Sequence, residues 1–244
     1  MLANYEEYAN ESLKKFASRE AAKRYLLVDA VKDLKPETVL DLGCGAGQEL
    51  LPFLEKTEAI CVGADSAAEL GKITAEMFGS EKRAAFVRSE GERLPFASES
   101  FDVVLCRVAL PYMDNRKAVG EIARVLKPGG VLLLKTHAPL FYFGMIAERL
   151  KTFSPRQVAY PLICLAASFW HLLTGRQLQK GIWRGKEIFQ TRAFLEKEFA
   201  KHDLKIEDVL PDDNVKTPSY FVVKAALLKM MFAAQVATEY GLVL

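Results

Sequence analysis

Apolar and polar positions follow two rhythms along the first half of the chain. From about Glu6 to Lys32 apolar residues recur at helical spacing, among them Leu13, Phe16, Ala17, Ala21, Tyr25, Leu26 and Val28. Pro36 closes that stretch. Short apolar runs then take turns with helical ones. The pattern predicts strands over 38–42, 59–64, 84–88, 101–107 and 131–136, with helices over 48–56, 67–78 and 116–126. Such alternation builds a parallel sheet with helices on both faces.

The rhythm breaks after His137. Residues 138–184 hold no evident strand and include a stretch without formal charge over 157–175. Regularity returns with a helix from about Thr191 and two strands over 204–210 and 219–225, which complete a seven-stranded, mostly parallel sheet. Residues 226–240 read as helical. The organisation expected is a core of 1–137 and 185–225, a helical insertion after the fifth strand over 138–184, and a C-terminal helical extension over 226–244.

The first strand runs into Asp41-Leu42-Gly43-Cys44-Gly45-Ala46-Gly47. Three glycines two apart let the backbone turn sharply and approach a ligand where a Cβ would collide. A helix starting near Gln48 would aim free N–H groups at an anionic part of that ligand. The dinucleotide fingerprint wants glycines at the first, third and sixth positions of its loop. Here Gln48 holds the sixth, so the spacing disfavours a nicotinamide cofactor. The second strand ends in Asp65, an acid placed to accept the two hydroxyls of a ribose.

Two later segments strengthen the pattern: Ser89-Glu90-Gly91 with Leu94-Pro95-Phe96, and Leu126-Lys127-Pro128-Gly129-Gly130. Together with the glycine loop and Asp65, across about 38–136, they resemble the class I S-adenosyl-L-methionine (SAM) dependent methyltransferases. Within these the chain is most similar to the type 11 group, which includes enzymes of ubiquinone and menaquinone biosynthesis. The resemblance implies a Rossmann-like α/β fold, SAM as cofactor, and methyl transfer to a small acceptor. It assigns Asp41, Gly43, Gly45 and Gly47 to the methionine part, Asp65 to the ribose, and Glu90 with Gly91 to the adenine. Glu90 stands where the family usually has Asp, one methylene shorter. Ser66, Cys106 and Arg107 are expected as wall contacts.

An acceptor that must lose a proton needs a base. His137 ends the fifth strand, at the edge where open α/β sheets bind ligands, although a histidine hydrogen-bonded at a strand end reads equally well. Tyr112, after the fourth strand, is a second lining candidate. The insertion supplies Phe141, Tyr142, Phe143, Met145, Tyr160, Phe169 and Trp170. It reads as a lid over an apolar or aromatic acceptor, as a membrane-surface attachment with Arg176, Lys180, Arg184 and Lys186 facing headgroups, or as a core extension or homodimer contact. Pro161 and His171 interrupt its uncharged run and argue against a transmembrane helix. A non-catalytic SAM-fold scaffold is the rival to an enzyme.

Bulk properties narrow the choices. Lysine plus arginine number 33 against 31 acids, a net charge of +2, which leaves no electrostatic footprint for nucleic acid. The four cysteines, Cys44, Cys61, Cys106 and Cys164, lie far apart without CxxC pairing, so neither a zinc site nor a disulfide framework is expected. The charged N-terminal stretch lacks a signal-peptide core, and a cytoplasmic location is expected.

Overall fold

A computed structural model describes residues 11, 13–14, 16–18, 24–151, 154–178, 180–183, 186–210 and 220–228. Its centre is a seven-stranded sheet in the order β3-β2-β1-β4-β5-β7-β6. The strands are β1 (Thr38–Leu42), β2 (Ile60–Asp65), β3 (Ala84–Arg88), β4 (Phe101–Arg107), β5 (Leu126–His137), β6 (Leu204–Leu210) and β7 (Tyr220–Leu227). The first five pair in parallel, and β7 runs antiparallel to both β5 and β6.

Strand periodicity splits the core in two. Leu40, Leu42, Val104, Cys106, Leu132 and Leu134 point to one face, while Val39, Val103, Leu105, Val131 and Leu133 point to the other. On the first face they meet Ala118, Val119, Ile122 and Val125 of α4 (Asn115–Val125) and Leu195 and Phe199 of α7 (Arg192–Phe199). On the second they meet Leu27 and Val28 of α1 (Leu26–Asp29), Phe53 and Leu54 of α2 (Leu51–Lys56), and Phe78 of α3 (Leu70–Phe78). Strands buried on both faces read as continuous apolar runs, which is why the sequence marks them so clearly. Each buried leucine or valine contributes about 1.5–3 kcal/mol relative to exposure.

The helix ends follow local chemistry. Asp114 caps α4 by accepting from the Lys117 N–H, and Thr191 caps α7 by accepting from the Phe194 N–H. Most predicted boundaries move by no more than three residues, and two differ in a way that bears on the sheet. β5 begins at Leu126 rather than Val131, because Leu126 pairs with Phe101 before the register slips at Val103. The C-terminal helix expected from 226 does not start there: Ala226 and Leu227 belong to β7, held by Val131 on one side and by Lys205 and Leu204 on the other. From 229 on, that expected helix lies outside the described residues, as do 6–10, 12, 15 and 19–23 of the helix expected over 6–32.

After β5 the chain forms a helical hairpin, α5 (Pro139–Leu150) and α6 (Pro155–Thr174). Its inner faces share a small cluster of Tyr142, Cys164, Leu165 and Phe189. Residues 187–190 run beneath it without regular secondary structure. The Ile188 N–H donates to the Pro111 carbonyl, the Phe189 N–H to Ser168 Oγ, and the Gln190 N–H to the His137 carbonyl. The hairpin is thereby tied to the end of β5 and to the turn that follows β4.

Candidate active site

Parallel pairing puts the C-terminal ends of β1, β2, β4 and β5 on one edge of the sheet. Two groups of side chains sit there, one around the glycine loop and one beneath the hairpin.

In the loop, Gly43, Gly45 and Gly47 all have φ in the left-handed region, at 73°, 57° and 82°, which favours glycine. The Gly43 and Cys44 N–H groups both donate to the Ala64 carbonyl, which pins the turn to the end of β2. A Cβ on Gly43 would lie 2.2 Å from Ala109 Cβ, and one on Gly47 would meet Phe86 and Phe78 at 2.8 and 2.9 Å. Gly45 is different: a Cβ there meets nothing within 4 Å, so the loop tip is open.

Asp65 locks onto that tip. Its Oδ2 accepts from the Gly45 N–H at 3.0 Å and its Oδ1 from the Ala67 N–H at 2.9 Å. Each oxygen keeps a further lone pair. Asp41 lies deeper, 1% exposed, and its Oδ2 has no hydrogen-bond partner among the described residues. Burial, aided by the charge of Glu49, pushes the Asp41 carboxyl well above the usual carboxylate range against the opposing pull of Arg107. Arg107 Nη1 sits 3.3 Å from Glu49 Oε2, both side chains largely buried. Asp41 and Glu49 therefore share the field of the Arg107 guanidinium, with the Asp65 charge adding to theirs at Asp41.

The remaining expected cofactor residues separate. Glu90 is exposed on the turn after β3, while Gly91 is buried and a Cβ on it would lie 2.5 Å from Met113 Sδ. Met113 thus walls the space between Gly43 and Gly91, a role that sequence spacing did not indicate. Ser66 is exposed, and its carbonyl accepts from Arg88 Nε. Cys106 does not reach the rim. It is fully buried in the cluster beneath α4, and burial pushes its thiol up to about 12. An even-numbered position on β4 faces that core, whereas odd-numbered Arg107 turns toward Glu49.

Beneath the hairpin the structure brings His137 and Tyr112 together through a residue that the sequence did not single out, Glu187. His137 Nδ1 lies 2.8 Å from Glu187 Oε2. Tyr160 Oη donates to Glu187 Oε1 at 2.5 Å, Tyr142 Oη donates to Oε2 at 3.2 Å, and Tyr112 also hydrogen-bonds this carboxylate. Burial alone would raise the Glu187 carboxyl, but hydrogen bonds from His137, Tyr160 and Tyr112 outweigh it and hold it below its ordinary value. Burial and the Glu187 charge push the Tyr142 and Tyr160 phenols upward, so both remain donors. Phe141 stacks on the imidazole at 4.0 Å between centroids, and His137 is only 3% exposed. His171, by contrast, is buried against Phe194 away from this group.

Comparison with known proteins agrees with the architecture. Residues 40–134 match the family described as "Methyltransferase domain", type 11. An uncharacterized methyltransferase of Bacillus subtilis, YcgJ, is 39% identical over 116 residues, covering 46% of this chain and 45% of that protein. A demethylmenaquinone methyltransferase of Thermus thermophilus is 36% identical over 117 residues, covering 46% and 52%. The chain thus spans about half the length of these curated relatives. Among solved structures, the methyltransferase crystallised with the Haloferax volcanii activator Trm112 has a TM-score of 0.62 at 16% identity, covering 91% of this chain and 95% of that one. The YcgJ crystal structure has a TM-score of 0.53 at 20% identity, covering 85% and 96%.

The cofactor of this family fits the loop on three grounds: a buried Asp41 oxygen with no partner among the described residues, an open glycine tip, and further acids, Glu49 and Asp65, at the same end, which suit a cationic ligand. Residues 40–134, with their glycine loop on a seven-stranded sheet, form a type 11 domain of the class I SAM-dependent methyltransferases.

Proposed function

We propose that this chain is a SAM-dependent methyltransferase for a small apolar or aromatic acceptor, and that His137, held by Glu187, takes the acceptor's proton. The observation carrying this reading is the 2.8 Å His137–Glu187 contact at the end of β5, on the sheet edge that also carries the glycine loop. When bound, SAM supplies a methyl group on a sulfonium, and the acceptor's electron pair forms the new bond as the carbon–sulfur bond breaks with its electrons staying on sulfur. Asp41 and the Gly43–Gly47 loop would hold the methionine part, and Asp65 the ribose. Fixing donor and acceptor in line can remove up to roughly 7–11 kcal/mol of barrier.

On the acceptor side, Glu187 accepts from His137 Nδ1, which leaves Nε2 as the basic nitrogen. The ionised carboxylate then stabilises the imidazolium formed as the acceptor loses its proton. Aromatic walls from Phe141, Tyr142 and Tyr160 suit an apolar acceptor. Phe141 covers the imidazole, so an acceptor reaches it only when the first turn of α5 shifts.

That burial also favours a second reading, in which the cluster is a structural anchor for the hairpin. His137→Asn separates the two, because its amide keeps a donor to Glu187 while removing the basic nitrogen. General-base catalysis predicts a loss of about 10²–10⁴-fold in rate and disappearance of the acidic limb of the pH–rate profile, with little change in Tm. An unchanged profile would assign the cluster to structure. Calorimetric titration with SAM and its demethylated product, with NAD as control, tests the cofactor reading independently.

A further inference from the structure

The hairpin turns its apolar side outward. On α6 the exposed positions Ala159, Leu162, Ala166, Phe169, Trp170 and Leu173 follow helical spacing along one face. Leu173 is 86% exposed. On α5 the exposed positions Leu140, Phe143, Gly144, Ala147 and Leu150 do the same. A surface helix ordinarily shows charge to solvent. These two bury one apolar face on Tyr142 and Cys164 and leave a second apolar face in water, an arrangement that signals a covering partner.

Charge identifies the partner. Residues 138–186 contain seven lysines and arginines and a single acid, Glu148, in a chain whose total is only +2. Lys151 lies beyond the end of α5, and Arg176 and Lys180 beyond the end of α6, all exposed. A second copy of this face would bring two strongly basic patches together, which Coulomb repulsion disfavours. An apolar face carrying Phe and Trp within a basic rim fits an anionic bilayer surface. The 157–174 stretch has the length and hydropathy to cross a membrane, but its inner side is committed: Cys164, Leu165 and Ser168 pack against the 187–190 segment. It therefore lies along the surface.

We propose that the outward faces of α5 and α6 dock on an anionic lipid surface, and that the His137–Glu187 cluster beneath them serves an acceptor dissolved in that bilayer. The second half rests on the methyl-transfer reading, whereas the docking does not. Flotation of the full chain with phosphatidylcholine vesicles, with and without phosphatidylglycerol, tests the docking. The expected result is recovery with the anionic vesicles only, weakening as salt screens the basic rim. A blue shift of Trp170 emission, read in a Trp183→Phe background, should accompany it. The triple variant Phe143→Ser, Leu162→Ser, Leu173→Ser should lose at least about tenfold in vesicle affinity while keeping its Tm and SAM titration. A wild-type protein that stays at the bottom of the gradient with anionic vesicles would overturn the proposal, as would a triple variant that floats equally well. A dimer abolished by the triple variant, without flotation of the wild type, would assign the face to a second copy. Loss of SAM binding in the wild type would instead strike the methyl-transfer reading and leave the docking result intact.

Discussion

The glycine loop holds its shape with backbone, whereas the cluster under the hairpin holds its shape with side chains. Between Asp41 and Asp65 the contacts that set the geometry are amide to carbonyl or amide to carboxylate, such as Gly43 and Cys44 on Ala64 and Gly45 on Asp65. Around Glu187 every partner is a side chain, delivered from the turn after β4, the end of β5, α5 and α6. Backbone sites change slowly with sequence and suit a ligand common to a family. Side-chain sites can be rebuilt one residue at a time and suit a ligand that varies among relatives.

The sharpest way to break this contrast is to remove the hub of the second region. Glu187→Ala strips a buried carboxylate from His137 and three tyrosines and should cost about 3–5 kcal/mol, read as a lowered denaturation midpoint. Glu187→Gln keeps an acceptor and should cost less. Equal midpoints for the two variants would mean that the charge, not the shape or the acceptor, holds the hairpin.

The matching perturbation in the loop is Gly43→Ala. Its methyl would sit 2.2 Å from Ala109 Cβ at a left-handed φ. Strain and overpacking together should cost roughly 2–4 kcal/mol. Gly45→Ala meets open space, so only the backbone strain remains, roughly 1–2 kcal/mol. Its methyl occupies the tip where the cofactor is expected, and SAM affinity should fall at least about tenfold by calorimetry. Full affinity in Gly45→Ala would move the cofactor away from the tip.

Asp41→Asn separates stability from binding. Because burial raises the Asp41 carboxyl in the folded chain, its contribution to stability is present below the unfolded carboxylate range and fades as pH rises through the raised value. At neutral pH the variant should therefore melt higher than the wild type. It should also bind SAM about tenfold to a hundredfold more weakly, since a charge-assisted contact is lost. In the wild type the same titration should weaken SAM binding as pH falls, with proton release on binding visible when buffers of different ionisation enthalpy are compared. A pH-independent affinity would remove Asp41 from the contact.

This division explains what could be read from the chain. The central strands, buried on both faces, gave apolar runs, the edge strands β3 and β6 gave shorter and more mixed ones, and the glycine spacing located the loop. Asp41, Asp65 and the three loop glycines lie within 25 residues of one another in sequence, close enough for a linear pattern to reveal the site. Glu187 is 50 residues from His137 and 27 from Tyr160, in a segment with no periodicity. One signal did exist: it is the first acid after Glu148, closing a long stretch with none. Glu49 was hidden because an acid in the first turn of a helix ordinarily reads as a solvated residue. Cys106 was misplaced because proximity to a strand end says nothing about which face a side chain takes.

The smallest predicted effect lies where the two regions meet. Val108 has φ of +60°, a conformation that a β-branched residue adopts at a cost of roughly 1–2 kcal/mol. It follows Arg107, which pairs with Glu49 beside the loop, and precedes the turn that carries Tyr112 to Glu187. Its N–H donates to the Lys135 carbonyl at 2.7 Å, which holds the bend against β5. Val108→Gly should relieve the strain, and after the added unfolded-state entropy of glycine a gain of roughly 0.5–1 kcal/mol should remain. If the bend sets the spacing between cofactor and acceptor, the more stable variant should turn over more slowly with SAM affinity unchanged. If turnover is also unchanged, the two regions are independent, and the strain only accommodates β4 to its neighbours.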